Sequence, residues 1–159
     1  MPGEPLGIYL NDHYAGATLG LELARRAASN NEGNAYGDVL TELAKEIERD
    51  REALADVMER LSIRRDRLKV TASWVAEKAS RLKPNDELFG YSALSRFEEL
   101  ELLSLGVEGK LAMWQALRRT HGEDPRLRGV DLDELIERGR SQRRRLERQR
   151  RRAADEALR

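Results

Sequence analysis

The chain has 159 residues, with 29 Lys and Arg against 29 Asp and Glu, two His, no Cys and few aromatic side chains. That length encloses one core rather than two, and the lack of Cys excludes disulfides, zinc ribbons, iron–sulfur sites and a thiol nucleophile. No apolar run approaches the roughly 20 residues of a membrane helix and the first residues lack the pattern of a signal peptide, so a cytoplasmic protein off the membrane is expected.

Punctuation divides the chain into five helical segments. The first follows Pro5 and runs to about Ser29, where the cluster from Asn30 to Asn34 supplies turn formers. A second spans about Ala35 to Leu61, with Tyr36, Leu40, Leu43, Ile47, Leu54, Met58 and Leu61 at helical spacing. The third, shorter, is expected from about Arg65 to Leu82, ending before Pro84. Ser92 is a good N-cap for a fourth that reaches about Thr120. The fifth starts at Asp131, with Glu134 three residues on in the manner of a capping box, and runs to about residue 158. Strand-like alternation and internal repeats are lacking.

Four matched rods of about 38–44 Å and one of about 27 Å, at 1.5 Å per residue, suggest a four-helix bundle. The short segment then serves as the connector that returns the chain along the bundle, so the long helices run up, down, down and up. A plain five-helix bundle is the alternative. Two stretches carry a resemblance: Tyr9-Leu10-Asn11-Asp12-His13-Tyr14-Ala15-Gly16-Ala17, and Arg81 to Asn85 leading into Gly90 to Glu101. They resemble an uncharacterised bacterial group on the ferritin-like fold. The resemblance implies that fold over most of the chain as a single domain, and no activity or cofactor.

Di-iron bundles use a Glu from each of two helices and Glu-x-x-His from each of the other two. Neither spacing occurs here: Glu42 is followed three later by Lys45, Glu46 by Arg49 and Glu147 by Arg150. Cations stand where ligands belong, so a standard di-iron centre is not expected. Glu22 falls on a polar face with Asn11, Thr18, Arg25 and Ser29, solvated and paired with Arg26.

His13 falls on the opposite face, among Leu6, Tyr9, Leu10, Ala17, Gly20 and Ala24. Folding the first hairpin at its loop brings it near Asp50, with Gln142 and Glu108 at a similar height. A buried His13–Asp50 pair is therefore expected, read first as a hydrogen-bonded polar layer. The chemical alternative is a mononuclear metal site from His13, Asp50, Glu46 and Glu101. Phosphate loops, nucleophile elbows and His-Glu-x-x-His are all absent. Trp74 and Trp114 read as core anchors, and His121 as a helix-end residue.

The neutral total conceals a division. Of the 29 basic residues 24 are Arg, and residues 137–159 carry ten of these against four acids, leaving an acidic remainder. Arg144, Arg148 and Arg151 share a face suited to phosphates or an acidic partner, but no aromatic is interleaved for base stacking. The plainer reading is a basic helix that complements the acidic body. Taken together, the sequence points to a non-enzymatic structural or interaction protein, with a homodimer through an outer helix face and nucleic-acid binding as the partner readings to test.

Overall fold

In a computed structural model, residues 4–66 and 90–159 are described. They form four long helices and no strand: α1 Pro5–Asn30, α2 Ala35–Arg60, α3 Ala93–His121 and α4 Leu132–Leu158, with a 3-10 turn at Pro125–Leu127. The four expected long helices are therefore present within about two residues. Arg65 and Asp66 are not helical, and the rest of the expected third segment, including Trp74, lies outside the described residues.

Local chemistry sets the helix ends. The Asn34 side chain accepts from the backbone of Tyr36 and Gly37 to start α2. Ser92 and Ser95 form a reciprocal capping box at the head of α3, and Asp131 accepts from the backbone of Glu134 at the head of α4. The α1–α2 turn is so tight that a Cβ at Gly37 would lie 2.1 Å from the Asn31 carbonyl oxygen, which only glycine avoids. His121 closes α3, its Nδ1 2.7 Å from the Thr120 hydroxyl.

Contacts between the ends fix the helix directions. Asn31, buried beyond α1, donates to Tyr91 Oη at 2.8 Å and accepts from Arg96 Nε at 2.6 Å. Arg96 in turn pairs with Glu156 near the end of α4, and Arg152 stacks over Tyr36 at the start of α2. At the other end, Arg60 donates to the Arg128 carbonyl, and Asn11 holds residues 64–66 through the Arg64 carbonyl and the Asp66 amide. Hence α2 and α3 run one way and α1 and α4 the other, and Asp66 and Gly90 sit toward opposite ends.

The most extensive interfaces are the α1–α2 and α3–α4 hairpins; α1 packs less extensively on α3, and α2 touches α4 only sparsely. The apolar core is divided in two along the bundle. One cell gathers Leu21, Leu40, Leu43, Leu100 and Leu146; the other gathers Leu10, Leu54, Met58, Leu117 and Leu135 around Trp114, which is fully buried as expected of a core anchor. Between the cells lies a charged layer.

Candidate functional site: the charged layer and the groove beside it

Asp50 of α2 is the centre of the layer and is only 2% exposed. One carboxylate oxygen accepts from Lys110 Nζ of α3 at 2.6 Å and Gln142 Nε2 of α4 at 2.9 Å, and the other from Arg138 of α4 at 2.9 Å. One turn along α2, Glu46 accepts from Arg145 at 2.6 Å and Gln142 at 3.1 Å. Gln142, fully buried, also accepts from Lys110 through its amide oxygen, so its two ends join cation to acid. Long side chains span the α2–α4 seam where the backbones stay apart.

The electrostatics follow from this geometry. Burial pushes the Lys110 ammonium below the ordinary lysine range, and the Asp50 carboxylate opposes that shift. Burial pushes Glu46 upward, but the hydrogen bonds from Arg145 and Gln142 outweigh it and hold its carboxyl below the ordinary glutamate range. Two carboxylates thus face three cations, in the mutual satisfaction that buried charge requires.

The expected His13–Asp50 pair is not made. Asp50 spends its carboxylate on Lys110, Arg138 and Gln142, while His13 is half-buried with its ring edge-on to Tyr9 at 4.6 Å. Burial lowers the His13 pKa, and only the neighbouring Asp12 pulls it back up. Hairpin alignment placed the height correctly, but a cation from the opposite hairpin wins the carboxylate. Nor do the four metal candidates meet. Glu101 lies on the surface, paired with Arg150 at 3.5 Å, and the nine residues from it to Lys110 span roughly 13 Å of α3. Among the described residues no group of three or more His, Cys, Asp or Glu is placed to hold a metal. Glu108 is exposed and pairs with Arg143.

The arginine-rich helix turns most of its charge inward or onto itself. Arg138, Arg143, Arg145 and Arg150 reach acids on α2 or α3. Arg144 pairs with Glu137 and Arg151 with Glu147, whose carboxyl is held at about 2 by hydrogen bonds from Arg150 and Arg151. Of the three proposed partner-binding arginines, Arg148 alone makes no ion pair among the described residues, and all three are exposed.

Alongside the layer a groove opens between α1 and α3 and reaches Asp50 and Lys110 at its floor, enclosing about 530 Å³. That size is ordinary for a small-molecule site. Its walls are mainly aliphatic, and it exists because Gly16 and Gly20 of α1 and Gly106 and Gly109 of α3 have no side chains to fill it; a Cβ at any of the four would meet nothing within 4 Å among the described residues. Glu22 stands exposed at its rim, making no ion pair with Arg26 among the described residues, contrary to expectation. The sequence shows this groove only as small-residue spacing, which reads equally as close helix packing. Lys110 had a stronger signal: it is the lone cation on the apolar stripe of Val107, Leu111 and Trp114.

Comparison with family models, curated proteins and solved structures finds no match for this chain.

Proposed function

We propose that the protein is a non-enzymatic structural or interaction protein, a helical bundle of ferritin-like plan whose centre is an ion-pair layer instead of a metal site. The observation that carries this reading is the commitment of Asp50 and Glu46 to Lys110, Arg138, Arg145 and Gln142. A metal at either carboxylate has to displace cations already paired there, of which Lys110 is the most deeply buried. In this proposal the segment joining α2 to α3 is the crossover, because Asp66 and Gly90 lie toward opposite ends of the bundle. Self-association through an outer helix face belongs to the same proposal, with the exposed Leu94 of α3 as a candidate contact. No helix of the described residues is long and apolar enough to cross a membrane.

Metal analysis and light scattering on protein purified without chelator test the reading together. The expected result is no stoichiometric transition metal. A metal bound one per chain and lost on Asp50→Asn overturns it.

A further inference from the structure

Between Arg138 and Arg152, α4 carries nine arginines and one acid, Glu147. Four of the nine are spent on the body, since Arg138, Arg143, Arg145 and Arg150 reach acids of α2 or α3. The other five, Arg140, Arg144, Arg148, Arg151 and Arg152, are all exposed. No carboxylate belongs to one of them alone. Glu137 is shared by Arg140 at 3.6 Å and Arg144 at 3.2 Å, Glu147 by Arg150 and Arg151, and Glu156 by Arg152 and Arg96. Arg148 makes no ion pair among the described residues. Five outward guanidinia thus stand against three carboxylates, two of which are also claimed from elsewhere, so a positive surplus remains after every pair is counted. At about 100° per residue Arg140, Arg144, Arg148 and Arg151 fall within about 80° of one another, on a ridge roughly 16 Å long at 1.5 Å per residue.

From this we infer that the outer ridge of α4 is a docking surface for the phosphate backbone of a nucleic-acid duplex, bound without reading its sequence. The inference names a partner for the interaction protein proposed above and rests on that reading. Phosphates suit the ridge. A guanidinium presents a planar fork to two oxygens, and a duplex strand carries one charge per ~3.4 Å of its axis, or about five along the ridge. The resident carboxylates do not block it, because exposed ion pairs hold each other weakly and exchange for a denser array of anions. Other polyanions fit less well. The helix has no aromatic residue on which the bases of a single strand could stack. Leu158, at its end, is the one large hydrophobic side chain exposed on α4. The ridge therefore offers neither the apolar anchors of a protein interface nor the apolar face of a helix lying in a membrane surface.

Fluorescence anisotropy with labelled duplex DNA, duplex RNA and single strands of one length tests the assignment, with phosphatidylserine vesicles and polyglutamate as competitors. A duplex should bind at low salt, with log K falling against log salt at a slope of about −3, as three to four phosphate contacts require. The two duplexes show which nucleic acid is the source of the phosphates, and binding of either supports the proposal. Arg144→Gln/Arg148→Gln/Arg151→Gln should weaken duplex binding about tenfold or more and bring the slope to about −1. Arg25→Gln/Arg49→Gln/Arg119→Gln removes the same charge from exposed positions on α1, α2 and α3. It should leave binding within about twofold, since distant surface charges are screened. Glu137→Gln, which frees Arg140 and Arg144, should tighten binding. Circular dichroism and melting show that each variant keeps its fold. No duplex binding at low salt overturns the proposal. So does equal weakening by the two triple variants, which makes the attraction one of total charge, and so does a preference for single strands, vesicles or polyglutamate over both duplexes. Such a failure leaves the metal analysis above untouched, so the two readings fall separately.

Discussion

Replacing Asp50 by Asn keeps the shape of the side chain and removes the charge on which the central layer is built. The carboxylate accepts from three donors, at 2.6, 2.9 and 2.9 Å, in a position 2% exposed. An Asn there keeps one acceptor oxygen and turns an NH₂ toward at least one of those donors. Arg138 has an alternative, because its guanidinium already touches Glu134 at 3.4 Å and its side chain is 25% exposed. Lys110, with a side chain 13% exposed, keeps at best two neutral oxygens, those of the new Asn and of Gln142, and no counter-charge on Asp50's site. Breaking a buried pair costs about 3–5 kcal/mol, and the escape open to Arg138 puts this case near 3 kcal/mol. At roughly 3 °C per kcal/mol for a chain of this size, the melting temperature should fall by about 10 °C. Lys110→Met removes the stranded charge, so the double variant Asp50→Asn/Lys110→Met should lose at least about 1 kcal/mol less than the sum of the singles. Thermal and urea melts of the four proteins measure both quantities. A loss below about 1 kcal/mol for Asp50→Asn, or strict additivity in the cycle, would refute the claim that the layer is desolvated and mutually dependent.

Glu46 gives a pH signature. Its pKa in the fold is lowered from the ordinary glutamate value, so its contribution to stability is complete above the unfolded value and is lost as pH falls through the folded one. Glu46→Gln should therefore flatten the decline in stability below about pH 4.5, as followed by urea melts across that range. Gly20→Ala and Gly106→Ala should each raise stability by about 0.5–1 kcal/mol, because the new methyl has room and the helix loses a flexible residue; a destabilisation would mean that the groove is filled. His13→Leu should change stability by less than about 1 kcal/mol, since no hydrogen bond to Asp50 is lost. A loss of several kcal/mol on melting would restore the pair that the structure dissolves.

Helix existence and ends were legible because their causes are local: Pro5, Asn34, Ser92 and Asp131 act on the backbone within a turn of themselves. The burial of Asp50 was legible too, from its place in the apolar stripe of α2. Its partners were not. Register within the first hairpin follows from a short loop, which is why His13 was the natural choice across from it. The register of α3 depends on the connection that follows Asp66, and nothing in the residues of α3 alone announces that Lys110 meets Asp50. Arg138, Gln142 and Arg145 were hidden in another way. A run of like charge reads as a solvated face, and only the fold shows which of its members have an acid within reach. The groove was illegible for a related reason, since glycines four apart on a helix look the same whether a neighbour closes on them or stays away.

The unequal seams between the helices also bear on how the bundle would open. Each hairpin is held by contacts close in sequence, whereas α1 and α3 meet less extensively and across a long stretch of chain. Fluctuations of a folded protein open its least-packed boundary first, with both halves staying intact. The groove runs along one of the two sparse seams between the hairpins, so widening it asks for a small separation of two preformed hairpins and no unwinding of either. The charged layer, tied from α2 to both α3 and α4, then acts as the hinge pin on the far side, which limits how wide the halves can part.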